Sequence, residues 1–296
     1  MKKDKTEIAV KMVSYVMLSI VALACLIPFL IIVSASFSSE SEIIKSGFGI
    51  LPKGATLDAY KMMSQNKDTL IKAYGVTIFT TLSGSALSIL ITSMLAYTIS
   101  RNDYAWKRKI SLYVYFTMLF SGGAIPSYIL ISQYLHLRNN ILVLILPLLL
   151  SPWNTFLLRT YFSKVHPSLI EAAKIDGANE FKTFFTIVVP VAKTGIVTVL
   201  LLVSLTYWND WYNCLMYMTN ENIISLQYFL YRVMSEIDAM LKNSNMISGL
   251  KTDISSLPSE TTRMAMCVFA AGPMIFVFMC FQRYFVKGIS VGSVKG

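Results

Sequence analysis

The chain has 296 residues, of which 55% are hydrophobic and 14% are charged. A soluble globular domain carries roughly 25% charged residues, so the composition excludes that class and indicates a membrane protein. The formal net charge is +10. A basic balance can indicate nucleic-acid binding, but we expect no nucleic-acid partner because membrane topology explains this charge.

Windows without charged residues recur along the chain. A membrane-spanning helix needs about 20 apolar residues, and we therefore predict an all-α polytopic membrane protein that forms one domain with six spans. The fifth span reaches the required length only if it runs through Asp210. The approximate bounds of the spans are 12–37, 73–100, 110–134, 140–160, 193–218 and 263–284.

The first apolar run follows a lysine-rich start, as in a secretory signal peptide, and Ser34-Ala35-Ser36 is similar to a cleavage site. The apolar core of a signal peptide has only about 7 to 15 residues. The run here extends without a charge from Met12 to Ser39. We therefore predict that it is an uncleaved first span.

Basic residues set the predicted orientation. If the N terminus is cytoplasmic, the inner segments hold sixteen of the 26 Lys and Arg residues but six of the 16 acidic residues. The outer segments then hold equal numbers of the two signs. Because cytoplasmic loops are enriched in Lys and Arg, we predict that both the N and C termini are cytoplasmic.

The outer connection at 219–262 contains a helical pattern. Apolar residues recur at helical spacing from Ile223 to Leu241, with charged residues between them, which predicts an amphipathic helix. This helix either packs on the bundle as a lid or binds an external partner, and both interpretations stay open. The polar stretch 243–258 that follows is predicted to be an exposed loop.

Several classes of site lack their motifs. The sequence contains no phosphate loop, no H-E-x-x-H zinc helix and no G-x-S-x-G nucleophile turn. Its two histidines, His136 and His166, are too few for a histidine cluster, so we predict no catalytic residue and no metal site. Four cysteines lie in or beside apolar runs and are predicted to be buried packing residues: Cys25, Cys214, Cys267 and Cys280.

A polar segment at 163–192 separates the fourth span from the fifth. Pro167 suits the first turn of a helix, so His166 is predicted to be a boundary residue. Ser168 and Glu171 have the spacing of a capping box. Gly177 is placed to end this helix, since glycine readily adopts the left-handed conformation that often follows a helix.

A second short helix is predicted from Glu180 to Val189, with Asn179 or Asp176 as its cap. Pro190 either ends it or kinks the entry into the fifth span. The segment is either an ordinary interfacial loop or a surface for a partner, and the small side chains of Ala172 and Ala173 would allow close approach. The apolar stripe of the second helix comprises Phe181, Phe184, Phe185 and Val188.

The outer end of the fifth span combines aromatic and polar side chains. A carboxylate such as Asp210 is costly inside a membrane unless it faces a polar cavity, the bundle interior or the interface. Aromatic faces and hydrogen-bonding groups together suit sugars. The group lines a substrate pathway, packs in the core or forms an interfacial aromatic belt, and all three stay open. Its members are Tyr207, Trp208, Asn209, Asp210, Trp211 and Asn213.

The stretch 171–190 has a specific resemblance. Its E-A-A, three residues, G, nine residues, I-x-V-P matches the EAA signature of ABC importer permeases, with Val189 in place of the family's leucine. The fuller pattern E-A-A-x-x-D-G-A at 171–178 resembles the maltose-type, binding-protein-dependent carbohydrate permeases. Trp208-Asn209-Asp210 and the tail at 284–296 are similar to further motifs of that family, and 120–126 and 145–153 are similar to its subgroup for larger oligosaccharides.

The resemblance implies the ABC type I importer permease fold, with a cytoplasmic coupling helix that seats in a partner ATPase. It implies import of an oligosaccharide by a chain that is not an enzyme and binds no cofactor itself, since ATP and Mg belong to the ATPase. ATPase-coupling roles are implied for Glu171, Ala172, Ala173, Asp176, Gly177 and Ala178.

The implied partners are a second, related permease subunit, an ATP-binding cassette ATPase dimer and an extracellular sugar-binding protein, in the lipid of a bacterial plasma or inner membrane. Three other classes are an ABC permease for another solute, a secondary transporter and a membrane-embedded enzyme. A secondary transporter would need ionisable residues inside several spans, and the first four windows have none.

Overall fold

The computed structural model describes residues 5–64, 67–246 and 259–292. The predictions for 247–258 and for the last four residues of the C-terminal motif lie outside the described residues. Those that are described are mainly helical and include no strand. For this part of the chain the all-α prediction is confirmed.

Fourteen α-helices occur within the described ranges. They are α1 Lys5–Ser36, α2 Glu40–Ser46, α3 Asp58–Ser64, α4 Lys67–Ser100, α5 Lys107–Leu119, α6 Ala124–Ile129, α7 Pro152–Phe162, α8 Pro167–Ile175, α9 Glu180–Thr183, α10 Val189–Val191, α11 Lys193–Trp208, α12 Tyr212–Tyr217, α13 Leu226–Met246 and α14 Glu260–Gly292. Leu130–Tyr134 and Phe184–Val188 form π-helical turns, and Ile141–Leu144 and Leu146–Leu148 form 3-10 turns.

Three helices are long and apolar enough to cross a membrane by themselves: α1 over Val10–Ser36, α4, and α14 over Glu260–Gln282. Three further pairs of helices meet the same criterion when each bent pair is taken as one span. The described residues therefore supply three spans, or up to six if the bent pairs are counted.

The third predicted span, 110–134, is not one continuous helix. α5 and the stretch Ala124–Tyr134 are bent by 109° across a short break. Gly123 in that break has φ +87°, a conformation that residues with a side chain rarely adopt. The prediction of a single helix is wrong here because an average of hydropathy over the window does not register a glycine turn.

The fourth predicted span is helical in two different ways. It starts with the two 3-10 turns and continues as α7, at a bend of 51°. The side chain of Asn140 accepts from the backbone N–H of Leu142 at 3.0 Å and so caps the first turn. Pro152 then opens α7, where a proline lacks no useful hydrogen bond.

Contacts divide the chain into two compact units, 1–67 with 232–273 and 68–231 with 274–296. In the first unit, the Glu40 carboxylate accepts from the backbone N–H groups of Glu260 and Thr261, each at 2.9 Å, and so caps α14. Burial opposes ionisation, but these hydrogen bonds prevail and lower the pKa of Glu40 from its ordinary value.

In α1, residues 10–30 are all exposed.

In the second unit, the buried face of α4 is made mostly of small or hydroxyl-bearing side chains. Thr80 donates to the carbonyl of Val76 at 2.9 Å, and Ser93 donates to that of Leu90 at 3.0 Å. Small residues let membrane helices approach closely. The buried residues of this face include Thr77, Thr80, Gly84, Ser85, Ser88, Thr92, Ser93 and Ala96.

Two glycines mark close helix contacts. A Cβ on Gly84 of α4 would lie 2.5 Å from the Cε1 and Cζ atoms of Tyr207 in α11. A Cβ on Gly195 of α11 would lie 2.3 Å from the Cγ atom of Tyr161 in α7. Only glycine fits at either position, so these two residues fix how closely α11 approaches its neighbours.

The cysteine prediction is correct for one of the four residues. Cys214 is buried, whereas Cys25, Cys267 and Cys280 are exposed in the chain. The other three predictions are wrong because an apolar window marks lipid-facing and subunit-facing residues as well as core residues.

The amphipathic helix predicted in the outer connection is confirmed as α13. The Ser225 hydroxyl accepts from the backbone N–H of Tyr228 at 3.3 Å at its start, and Leu226, Leu230 and Ile237 are buried. The helix extends to Met246, so the loop predicted from 243 begins too early. No glycine or proline occurs before that point to end the helix. The two alternative roles of α13, as a lid on the bundle or as a binding site for an external partner, both stay predictions.

Candidate functional site

α8 opens the polar segment 163–192, and Pro167 is its first residue, as predicted. The Nδ1 atom of His166 accepts from the backbone N–H of Ser168 at 3.4 Å and lies 2.7 Å from the Ser168 hydroxyl. His166 is therefore the N-cap, which confirms its boundary role. The predicted capping box of Ser168 with Glu171 is wrong, because Ser168 is already inside the helix.

Gly177 ends α8, as predicted, with φ +76°. Its backbone N–H donates to the carbonyl of Lys174 at 3.0 Å, and that of Ala178 donates to the carbonyl of Ala173 at 2.9 Å. This pair of bonds is the Schellman motif, which satisfies the carbonyls at a helix end. Asn179 then caps α9 by accepting from the backbone N–H of Lys182 at 2.8 Å.

The second helix of the segment is irregular. α9, the π-helical turn Phe184–Val188 and α10 follow one another without a break. Proline lacks an N–H and clashes with the carbonyl four residues before it in a regular α-helix. Pro190 is the second residue of α10, and the residues before α10 form the wider π turn. The stretch Glu180–Val191 and α11 are bent by 86°, so the predicted kink near Pro190 is confirmed.

The apolar stripe predicted on this second helix is only half buried. Phe184 and Val188 are buried, whereas Phe181 is 64% exposed and Phe185 is 50% exposed. Phe184 and Val188 belong to one cluster with Ala96 of α4, Leu158 of α7 and Val203 of α11. The segment is therefore anchored in the core at its second helix.

α8 has a buried and an exposed face. Ala173 is buried, and Ile170 packs against the core cluster. Leu169, Ala172 and Ile175 are exposed, Ile175 to 86%. Residues three apart lie on the same side of a helix, and we call these three residues the docking face. Among the other predicted coupling residues, Glu171, Asp176 and Gly177 are exposed and Ala178 is half-buried.

Four charged side chains form a closed ring of alternating sign beside α8. The Nε of Arg101 donates to Oδ1 of Asp103 at 2.8 Å, and Nζ of Lys174 lies 3.0 Å from Oδ2 of the same carboxylate. The same Nζ lies 3.3 Å from Oε1 of Glu180, whose Oε2 lies 3.6 Å from Nη1 of Arg101. We call Arg101, Asp103, Lys174 and Glu180 the charge ring.

Three groups of the charge ring have pKa values shifted in favour of their charged forms. Hydrogen bonding to Arg101 is the main cause that lowers the pKa of Asp103 far below its ordinary range. Hydrogen bonds to Asp103 likewise raise the pKa of Arg101 and, with Glu180, that of Lys174. All three groups therefore stay ionised at neutral pH.

Tyr97 joins the charge ring to the core. Its hydroxyl donates to Oε2 of Glu180 at 2.9 Å and accepts from Nη1 of Arg101 at 2.9 Å. Its ring centroid lies 5.3 Å from that of Phe184 and 6.4 Å from that of Phe162. One side chain at the end of α4 thus contacts both the polar and the apolar parts of the segment.

The pathway residues predicted at the end of the fifth span lie around a break in the helix. α11 ends at Trp208 and α12 begins at Tyr212. The Asp210 carboxylate accepts from the backbone N–H of Asn213 at 3.2 Å and from its side-chain amide at 3.0 Å. Asp210 therefore stabilises the start of α12.

The same group divides by exposure. Tyr207, Trp208 and Asn213 are buried, and the Tyr207 hydroxyl donates to the backbone oxygen of Ile145 at 2.8 Å. Asn209 is exposed, and Trp211 is 40% exposed and stacks on Tyr231 at a centroid distance of 4.9 Å. The buried members therefore pack in the core, whereas the exposed members, Asn209 and Trp211, are accessible to a ligand or to lipid.

Sequence reasoning missed the residues that hold α8 in place. From the sequence, Tyr97 is only part of the second predicted span, Glu180 only the start of a helix, and Arg101 and Asp103 only part of a connection. A partial signal exists, because Arg101 and Asp103 come directly after the second predicted span, on the side of the membrane where the segment 163–192 is predicted. The pairing with Lys174 joins residues 71 positions apart, which local patterns do not encode.

A family model described as "Binding-protein-dependent transport system inner membrane component" matches residues 1–291. The chain belongs to this family. It is thus the membrane component of an ABC transporter and not an enzyme, since the ATPase is a separate subunit. Membership places it in the cell membrane as a multi-pass protein and implies an ATPase and a substrate-binding protein as partners.

Relatives agree with this assignment. The chain is 33% identical over 291 residues to the polygalacturonan/rhamnogalacturonan transport system permease protein YtcP of Bacillus subtilis, covering 96% of this chain and 98% of that one. It is 26% identical over 279 residues to the arabinooligosaccharides transport system permease protein AraQ of the same species, covering 93% and 92%.

A solved structure is also similar. It is the crystal structure of a bacterial ABC transporter involved in the import of the acidic polysaccharide alginate. The TM-score is 0.77 at 27% identity, and the match covers 96% of this chain and 99% of that one. The ABC importer permease fold inferred from the sequence is thereby confirmed.

Proposed function

We propose that this permease is one of two membrane subunits of an importer that moves an oligosaccharide into the cell at the expense of ATP. Membership of the family and the sugar-transporting relatives support the substrate class. ATP and Mg are bound by the partner ATPase, which fits a chain without a phosphate loop. The observation that carries the mechanism is the exposed docking face of α8, held on a segment anchored in the core.

α8 is the coupling helix in this proposal. Exposed apolar side chains such as Leu169 and Ile175 suit burial in a cleft of another subunit, because their removal from water is favourable. Glu171 and Asp176, also exposed, flank them with charge. Movement of the ATPase would then displace α8 as a rigid element and rock the attached helices between two arrangements.

The orientation follows from the same assignment. A cytoplasmic α8 requires cytoplasmic N and C termini if six spans are present, and the excess of Lys and Arg on that side is the pattern of bacterial inner-membrane proteins. α13 would then lie on the outer face, where the delivering sugar-binding protein docks.

α1 supports a second membrane subunit. Residues 10–30 are mostly apolar and all exposed in the chain, and a surface of that size needs lipid or protein around it. A related permease subunit packed beside α1 would complete the wall of the pathway, which six spans enclose poorly by themselves.

The docking role has a direct test in the assembled transporter. We expect Ile175→Glu to abolish copurification of the ATPase and ATP-driven sugar uptake, because it places a charge in the apolar contact. Ser163→Glu is the matched control, since Ser163 is also exposed and lies just before α8. Normal uptake and normal ATPase association in Ile175→Glu would contradict the docking role, and normal sugar uptake after deletion of the gene would contradict the transport function.

The sugar pathway is proposed to pass the helix break at Asn209–Trp211. Trp211 offers an exposed aromatic ring and Asn209 an amide, groups that suit the C–H faces and hydroxyls of a sugar. Trp211→Ala should lower uptake by about tenfold, the loss expected from about 1.4 kcal/mol, while ATPase copurification stays normal. Tyr212→Ala is the matched control, as a neighbouring exposed aromatic residue. Equal effects of both changes would favour an interfacial aromatic belt instead.

A further inference from the structure

The charge ring spans the turn between the two helices of the segment 163–192. Lys174 lies three residues before Gly177 and Glu180 lies three residues after it. Both reach across to Arg101 and Asp103, which follow directly on the end of α4. The ring therefore connects the residues on both sides of Gly177 to the residues just after the end of α4.

The contribution of these ion pairs to folding stability does not by itself explain why four charged side chains meet here. Asp103 and Glu180 are more than half exposed and Lys174 is 44% exposed, and exposed ion pairs contribute only about 0 to 1 kcal/mol to folding. Arg101 differs, since its side chain is only 12% exposed. Its guanidinium is held by Asp103, Glu180 and Tyr97 together, so its position is well determined.

An open groove of about 450 Å³ lies beside the ring and is bordered by Met94 of α4 and by Phe181 and Phe184 of the segment. Apolar contacts with α4 are made on the other side of the groove, where Phe184 and Val188 pack in one cluster with Ala96. At the polar end of the groove, the ring makes the contacts between the segment and the residues that follow α4.

The covalent route from the C-terminal end of α8 into the membrane is bent. Along the chain, α8 is followed by the second helix and then by α11, which meets it at 86°. At its other end, α8 is joined to α7 by residues 163–166. A push on α8 can therefore swing its C-terminal end about the bend instead of moving α11. A second attachment for this end, at a distance from the bend, would prevent that swing.

We propose that the charge ring is this second attachment and that it transmits the displacement of the docked α8 to α4. Arg101, Asp103, Lys174 and Glu180 act as positioning residues for transport, and Tyr97 connects them to the core. The proposal rests on the docking role of α8. It adds that α4, and not only α11, is driven by the ATPase.

Neutral variants of the ring test the proposal in proteoliposomes that contain the complete transporter. Lys174→Met and Asp103→Asn should leave copurification of the ATPase and its basal hydrolysis intact. We expect the sugar imported per ATP hydrolysed to fall by about fivefold or more, the usual size of a lost coupling between linked sites. Lys174→Arg should retain coupling, and Lys182→Met is the matched control because Lys182 is an exposed lysine of the same segment outside the ring.

The salt dependence of the sugar imported per ATP hydrolysed distinguishes the proposed role of the ring from a purely structural one. Exposed charges are screened at high ionic strength. The ratio of sugar imported to ATP hydrolysed by the wild type should therefore fall towards that of Lys174→Met as the salt concentration is raised. The ratio of Lys174→Met itself should change little. The proposal is overturned if Lys174→Met imports as much sugar per ATP as the wild type.

Failure of the docking role would look different. If wild-type α8 does not bind the ATPase, then Ile175→Glu and the ring variants would all leave the assembly unchanged. If docking is correct and the ring is irrelevant, Ile175→Glu would lose the ATPase while Lys174→Met would keep both the ATPase and full coupling. The two hypotheses are therefore separated by one set of variants.

Discussion

Replacing Gly84 with alanine should destabilise the permease by about 1 to 3 kcal/mol, the usual range for an overpacked core. The added Cβ would lie 2.5 Å from two ring atoms of Tyr207. That ring cannot swing away, because it is 2% exposed and its hydroxyl is bonded to the backbone of Ile145. The predicted result is a lower midpoint of thermal unfolding in detergent and a lower yield of folded protein.

Gly75 is the matched control for this change. It lies in the same helix, and a Cβ there meets nothing within 4 Å. Gly75→Ala should therefore be neutral or stabilising, by up to about 1 kcal/mol from helix propensity. Tyr207→Leu combined with Gly84→Ala should recover part of the loss, since the two sites share one contact. Equal unfolding midpoints for Gly84→Ala and Gly75→Ala would show that the helices separate at little cost.

Gly177→Val should abolish most ATP-driven uptake. Nothing lies within 4 Å of the position of a Cβ at Gly177, so the effect comes from the backbone alone. A residue with a side chain pays about 1 to 2 kcal/mol in the left-handed conformation, and a β-branched residue pays most. The turn would therefore reorganise, and α8 would lose its fixed direction relative to α9. Gly177→Asn should retain most uptake, because asparagine tolerates this conformation.

Gly47 provides the comparison that separates coupling from stability. It has φ +69°, and nothing lies within 4 Å of its Cβ position either. With ψ 179°, Gly47 lies in a region that is essentially restricted to glycine, so Gly47→Val carries a backbone cost at least as large in the turn after α2, far along the chain from α8. We expect the unfolding midpoint of Gly47→Val to be no higher than that of Gly177→Val, but normal sugar uptake only for Gly47→Val. Equal uptake in both would mean that the turn at Gly177 has no special role in transport.

The helix–turn–helix structure of the segment 163–192 could be predicted from sequence because its signals are local. Pro167, Gly177 and Asn179 each act within a few residues, through a ring, a backbone conformation or a single hydrogen bond. The one local error, the capping box at Ser168, arose because His166 can cap equally well and comes first. When two residues near a helix start can each act as the N-cap, the sequence alone does not show which of them does.

The breaks in the spans and the charge ring could not be predicted in the same way. Hydropathy treats 110–134 as uniform, although Gly123 turns the chain within it. Lys174 and Asp103 meet only because α4 and the segment 163–192 are brought together by the core around Phe184. Exposure of Cys25 and Trp211 likewise depends on what surrounds the chain and not on the residues beside them.

The hydroxyl-rich face of α4 has a consequence for how the transporter can change shape. Hydroxyls that bond to carbonyls of their own helix, as those of Thr80 and Ser93 do, offer a neighbouring helix no fixed partner. Thr77 is an exception on this face, because its hydroxyl accepts from the backbone N–H of Leu226 in α13 at 2.8 Å. At Thr80 and Ser93, α4 can shift against a neighbouring helix without breaking a hydrogen bond of their hydroxyls to that helix. Arg101 and Asp103, just beyond the end of α4, stay paired with Glu180 and Lys174 during such a shift.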